Sequence, residues 1–195
     1  MDGFIDIISE LIVRAGINES YLFRKKCIEL PGFFRPTKEW DLLVVREGQL
    51  IIALEAKSHV GPSFGNNFNN RTEEAMGSAL DFWTAYREGA FNKTIRPWLG
   101  YLFLLEDCEA STKPVHVKEP HFKVFPEFNG ASYMDRYEIF CRKLVRERHY
   151  SSSVFLTSEK KAGLKGIYNE PAEGLRFDAF AKSIIAQASA YSDEG

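Results

Sequence analysis

Apolar residues recur over the first fifteen positions at Phe4, Ile5, Ile8, Leu11, Ile12 and Ala15, the spacing that lines up one face of a helix. Asp2 stands where it can cap the start and Gly16 where it can end the last turn, which predicts a helix over about residues 3–15. The pattern then changes: YLFRKKCIEL reads as a strand and PGFFRPTKE as a proline-punctuated turn. WDLLVVR and LIIALEAKS are two apolar runs around the turn signal Glu47 and Gly48, the signature of a hairpin. HVGPSFGNNFNN is too polar for a core element and reads as a functional loop. From Arg71 to Glu88, Ala75, Met76, Ala79, Leu80, Trp83 and Tyr86 return at helical intervals before Gly89. WLGYLFLLED follows as a buried strand, and residues 107–131 as a long proline-interrupted connection. A helix in SYMDRYEIFCRKLVRERHY, a short strand in SSVFLTS and an amphipathic helix in GLRFDAFAKSIIAQASAY complete the chain. This order predicts an α/β fold, a mixed β-sheet flanked by helices, in one domain spanning residues 1–195.

Composition narrows the class. A chain 45% hydrophobic and 27% charged is that of a soluble domain able to bury a core. The run FIDIISELIVRAG is interrupted by Asp6, Ser9, Glu10 and Arg14, so no membrane segment or signal peptide is expected. Cys27, Cys108 and Cys141 are an odd number at wide spacings, which suits reduced thiols in a cytoplasmic protein. A net charge of -2 argues against holding nucleic acid by bulk electrostatics. Local clusters remain, at Arg24, Lys25 and Lys26 and at Arg142, Lys143, Arg146 and Arg148, either as solvated faces or as phosphate contacts.

The chemistry concentrates in the hairpin. Asp41 opens its first apolar run, and Glu55 and Lys57 sit in the second, where ionised groups lose hydration and need a partner charge or a metal. Glu55 and Lys57 are two apart and so leave one face of a strand. Glu159, Lys160 and Lys161 repeat Glu-x-Lys, but in the polar stretch TSEKKAG where solvation is free. Two readings of Asp41, Glu55 and Lys57 follow: a structural ion pair, or the metal-dependent phosphodiesterase pattern PD-(D/E)xK, with Asp41 and Glu55 holding Mg2+ beside the Ala56 carbonyl. The second requires Asp41 to lie across from Glu55. A three-residue loop, Glu47 to Gln49, achieves this and a two-residue loop does not, so an odd loop or a bulge is expected. Glu10 is a further candidate ligand or else a solvent-facing glutamate. Asn66, Asn67, Asn69, Asn70 and Arg71 carry groups able to pair with base edges or simply form turns, and Arg35 and Lys38 join them as DNA-contact candidates. His116, His121 and Cys108 lack a zinc-site spacing.

FFRPTKEWDLLVV, EAKSHVGPSFGNNFNNRTEEAMG, WTAYREGAF and FPEFNGASYMDRYEIFCRKLVRE strongly resemble the XhoI-type restriction endonucleases. The resemblance runs from MDGF nearly to the C-terminus, and the asparagine-rich string is its most specific part. It implies a PD-(D/E)xK restriction-endonuclease-like core and a type II enzyme that uses Mg2+ and cuts double-stranded DNA at CTCGAG, leaving 5′-phosphate ends. It further implies a homodimer, since a palindrome calls for a two-fold protein, and a cognate DNA methyltransferase that protects the host. Asp41, Glu55 and Lys57 align with the motif, and the position of Glu10 is acidic in the family. Members of the family carry residues ahead of the position where this chain begins. The rival readings are a structure-specific repair or recombination nuclease of the same fold and a catalytically inactive DNA-binding module.

Overall fold

The computed structural model describes residues 1–92 and 96–192. Its architecture follows from one strand, β5 (Gln49–His59), whose residues 50–54 are an unbroken apolar run and therefore need cover on both faces. β5 pairs antiparallel with β4 (Leu42–Arg46) and parallel with β6 (Trp98–Glu106). β7 (Ser152–Ser158) adds in parallel beyond β6, and the short β1 (Leu22–Phe23) pairs with β4 at the other edge, giving the order β1-β4-β5-β6-β7.

Parallel neighbours need a crossover, and the chain supplies a helix each time: α2 (Phe64–Arg87) between β5 and β6, then α4 (Tyr133–Arg146) between β6 and β7. These two cover one sheet face, where Ala53, Leu99, Tyr101 and Phe103 meet Ala79, Phe82, Tyr137 and Leu144. α1 (Asp2–Arg14) and α6 (Phe177–Ser189) cover the other, burying Ile8, Ile12, Phe180 and Ile184 against Val44, Ile52, Leu54 and Leu102. The mixed sheet flanked by helices is thus a three-layer α/β structure. α1 begins and ends within one residue of the bounds its apolar spacing predicts, but Asp2 is its first residue and not its cap, which is Met1 without a side-chain bond. Gly16 closes it at φ +97, with the Gly16 N–H on Val13 and the Ile17 N–H on Ile12, a Schellman ending that only glycine adopts without strain.

The hairpin resolves its register by a bulge. Glu47 and Gly48 both take positive φ and form a two-residue turn rather than the three-residue loop. The pairing then jumps from Val45 with Leu50 to Val44 with Ile52, so Ile51 is the extra residue, and its carbonyl accepts from Gln187 of α6 at 3.4 Å. Beyond the bulge Leu42 pairs with Leu54, which sets Asp41 level with Glu55.

Three sequence expectations change. YLFRKKCIEL is not one strand: Lys25 and Cys27 take positive φ and break it into β1 and β2 (Glu29–Pro31). Only residues 32–36 of PGFFRPTKE form the turn: Pro31 ends β2, Thr37–Glu39 are the strand β3, and the two strands form a separate small sheet. HVGPSFGNNFNN is not a loop beyond Ser63; Asn66, Asn67, Asn69 and Asn70 lie in the first two turns of α2. Asparagine is a weak helix former, but Phe64 and Phe68 anchor these turns on Tyr133, Tyr137 and His59, with ring centroids 4.6–6.3 Å apart, and packing overrides propensity. The short helices α3 (Glu109–Thr112) and α5 (Lys160–Gly163) fall in segments without apolar periodicity. Among the described residues no helix is long and apolar enough to cross a membrane.

Phe64→Ala should remove the main anchor of those turns. Urea unfolding is expected to report a loss of about 3 kcal/mol, with amide exchange accelerating at residues 66–71 ahead of the rest of α2; uniform protection along the helix would contradict this.

Candidate active site

Glu55 is 2% exposed and lies on the α2 side of β5. Its Oε1 is 3.1 Å from Lys38 Nζ and 3.2 Å from Lys57 Nζ, so two ammonium groups share one carboxylate oxygen. Lys57 reaches it by the strand's two-residue repeat. Lys38 reaches it from β3, with its ammonium 4.3 Å from the centre of the Trp40 ring and on the Glu39 carbonyl. The Tyr150 hydroxyl lies 3.2 Å from Glu55 Oε2 and 3.0 Å from the Ala75 carbonyl, one proton between two acceptors. Burial, with the charge of Glu55 adding to it, pushes the Tyr150 and Tyr101 phenols well above their ordinary range, so both stay neutral.

A cavity of about 670 Å³ opens over this group. Its walls carry four cations, Arg35, Lys38, Lys57 and Arg71, and four carboxylates, Glu55, Glu73, Glu74 and Asp81. Arg71 pairs with Glu74, and Arg35 Nε with Asp81 at 2.7 Å. Formal charge is therefore balanced, and attraction for a phosphate requires added positive charge.

Asp81 performs a second task. Its carboxylate accepts from the Phe33 and Phe34 amides at 2.6 and 2.8 Å as well as from Arg35, clamping the loop between β2 and β3 onto α2. Burial opposes the charge, but the Phe34 amide, the Arg35 guanidinium and the Phe33 amide together hold the Asp81 carboxyl below its usual range.

The remaining predicted residues divide. Asp41 stands at a bend ahead of β4. Its Oδ2 accepts the Ala56 N–H at 2.8 Å, so it grips the backbone between Glu55 and Lys57, on the strand edge from which the Ala56 carbonyl also emerges. Its side chain lines a separate small cavity with Ile5, Asp6 and Arg24; the register expected of Asp41 and Glu55 is present, but the chain turns at Asp41 and the two carboxylates do not open into one cavity. Glu10 is not brought to Glu55: it lies on the exposed side of α1, 3.6 Å from Arg14, and lines another cavity. Asn66, Asn69 and Asn70 are exposed and Asn67 half-buried on α2. Arg35, Lys38 and Arg71 all line the Glu55 cavity. Glu159, Lys160 and Lys161 are exposed, the contrast in burial that their sequence context predicts. Arg24 pairs with Asp6 and Arg142 with Glu138, outside the cavity.

Among the described residues no three His, Cys, Asp or Glu side chains converge as a ready-made metal cluster. The donors at Glu55, Asp41 and the Ala56 carbonyl are nevertheless hard oxygens. Magnesium commonly takes only one or two carboxylates, completing its shell with water and substrate phosphate, and hard oxygens of this kind are the donors it prefers; Asp41, bonded to the Ala56 N–H and facing another cavity, would have to turn to join Glu55 on one ion.

Residues 1–170 match the family model described as Restriction endonuclease XhoI. The chain belongs to the XhoI restriction endonuclease family. It is 55% identical over 194 residues to the type II restriction enzyme BstVI of Geobacillus stearothermophilus, covering 97% of this chain and 87% of that one. Identity is 51% over 147 residues to the type II restriction enzyme XhoI of Xanthomonas vasicola (74% of this chain, 59% of that one). It is 52% over 124 residues to AbrI of Azospirillum brasilense (63% and 56%). The chain thus spans little more than half the length of the latter two relatives. No solved structure matches the chain. The mixed sheet flanked by helices agrees with the restriction-endonuclease-like fold of the family.

For this XhoI-family chain the Glu-x-Lys signal and the two basic residues of the turn were readable in sequence. Tyr150, Asp81 and His59 were not. His59 is buried with Nδ1 2.8 Å from the Tyr137 hydroxyl, and burial, with Arg71 adding and Glu106 opposing, keeps its pKa low and the ring neutral. A single aspartate on a helix and a tyrosine after one carry no local mark of such roles; only their burial once folded exposes them.

The Asp81 clamp has a pH signature. A carboxyl held low in the folded state stabilises fully above its unfolded value of about 3.9 and less as pH falls through the folded value. Asp81→Asn should lower stability by about 1–3 kcal/mol near neutrality, by urea unfolding, with the gap to wild type closing as pH falls below about 4. A gap independent of pH would rule out the ionic clamp.

Proposed function

We propose that this chain is a type II restriction endonuclease that makes magnesium-dependent, sequence-specific double-strand cuts in DNA at CTCGAG and leaves 5′-phosphate ends. The observation that carries the reading is the buried Glu55 carboxylate, clasped by Lys38 and Lys57 under a cavity, with Asp41 on the adjoining Ala56 amide. Asp41, Glu55 and the Ala56 carbonyl would hold Mg2+, which when bound polarises the scissile phosphate and lowers the pKa of a water.

The chain's own groups do the rest. Lys57 orients the attacking water or neutralises charge developing on the phosphate, a task suited to a compact ammonium on a flexible stem. Lys38, Arg35 and Arg71 line the cavity, where each would meet a DNA phosphate by giving up its present carboxylate partner. Because the cavity is otherwise neutral, tight phosphate binding depends on the cation. Asn66, Asn67, Asn69 and Asn70 lie in the first turns of α2, where amide groups are suited to pairing with base edges in a major groove. The palindromic target calls for a homodimer, and a cytoplasmic restriction enzyme calls for a partner methyltransferase.

Digestion of a plasmid bearing one CTCGAG site, with magnesium and with EDTA, followed by end sequencing, tests the reading. One cut at that site, only with magnesium, is expected; sequence-independent cutting would favour a repair-type nuclease. Asp41→Asn, Glu55→Gln and Lys57→Ala should each lower the cleavage rate at least about 100-fold while leaving the far-ultraviolet spectrum near that of wild type. A fully active Lys57→Ala protein would contradict the assignment.

A further inference from the structure

Phe33 and Phe34 sit at the tip of the loop between β2 and β3, 53% and 66% exposed, with their rings edge to face at 5.2 Å. Exposed turns ordinarily carry small or polar residues, so two adjacent phenylalanines in water call for a partner. The tip is also held unusually firmly. The buried Asp81 carboxylate takes both phenylalanine amides and Arg35. Gly32 packs so closely on that carboxylate that a Cβ would collide with it, and its N–H closes the loop on the Pro36 carbonyl at 3.3 Å. A buried charge is thus spent on fixing the direction of two apolar rings.

The surroundings identify the partner. Phe34 lines the same cavity as Glu55 and Lys57, and Arg35, Lys38 and Arg71 line it too. An aromatic tip alone would serve a protein partner equally well; its place on the wall of the Glu55 cavity, where Arg35, Lys38 and Arg71 stand against four carboxylates and a bound cation would tip the balance toward phosphate, points to a polyanion with flat apolar faces, which is stacked nucleic acid. We propose that Phe33 and Phe34 form a rigid wedge that enters a base step of duplex DNA next to the phosphate at Glu55 and partly unstacks it. The inference rests on the endonuclease reading above and adds to it the means by which DNA is deformed at the cut. The wedge couples recognition to cutting, because a step that resists unstacking would not bring its phosphate down to Glu55.

The test uses duplexes with one CTCGAG site and fluorescent adenine or cytosine analogues placed one at a time at the site's own adenine and cytosines and in its flanks, with calcium replacing magnesium so that DNA stays uncut. Wild type should brighten the analogue at one step in each half-site. Phe33→Ala/Phe34→Ala should abolish that signal, weaken binding roughly 10- to 100-fold and slow cleavage in magnesium, whereas Phe34→Trp should keep the signal. The proposal is overturned if no position responds to wild type, or if the double alanine variant retains the signal and the cleavage rate. It is also overturned if the variant's only defect is a wild-type dimer becoming a monomer. Plasmid cleavage by wild type in magnesium is scored separately: its absence would sink the endonuclease reading, while the fluorescence still reports whether the rings enter DNA.

Discussion

Glu55 lies in the middle of the sheet with almost no water, and its charge is met by two lysines and a neutral tyrosine. Taking a carboxylate and an ammonium out of water costs several kcal/mol each in effective terms, and packed apolar side chains of similar volume often serve stability as well or better. Stability therefore gives little reason to place this group here. What the arrangement does provide is a preorganised, highly charged point on the wall of a cavity. Lys38 and Lys57 both hold its Oε1, so the carboxylate is paired throughout.

The rest of the molecule serves this point. The bulge at Ile51 brings Asp41 level with Glu55, and the bend at Asp41 then lays its carboxylate on the Ala56 amide. The small β2–β3 sheet carries Lys38 in from one side. α2 forms the opposite wall, supplies the Ala75 carbonyl to Tyr150 and anchors the Phe33 and Phe34 loop through Asp81. In three layers, a central strand buried on both faces is what allows a polar group at position 55 to be both enclosed and addressed from a cleft.

Elements with strong periodicity were legible before folding: α1, β5, β6, α4, β7 and α6 each bury a face or a run that the sequence spells directly. The contrast between Glu55 among apolar neighbours and Glu159 among polar ones was legible for the same reason. Features created by distant partners were not. The first turns of α2 depend on rings in α4, and Tyr150 meets Glu55 across 95 positions of chain. Asp81 lies 46 to 48 positions from the loop it clamps. The strand expected in YLFRKKCIEL failed for a local reason, since two positive φ values divide it, a choice that neither Lys25 nor Cys27 announces.

The account turns on whether Glu55 exchanges ammonium for metal. A crystal soaked in manganese, with the anomalous signal mapped, measures this directly. The expected map has a manganese peak bonded to the Glu55 and Asp41 carboxylates, with the Lys38 ammonium moved off Glu55. A protein that cuts DNA in the same manganese buffer while the map leaves Lys38 in place and no peak at Glu55 would contradict it.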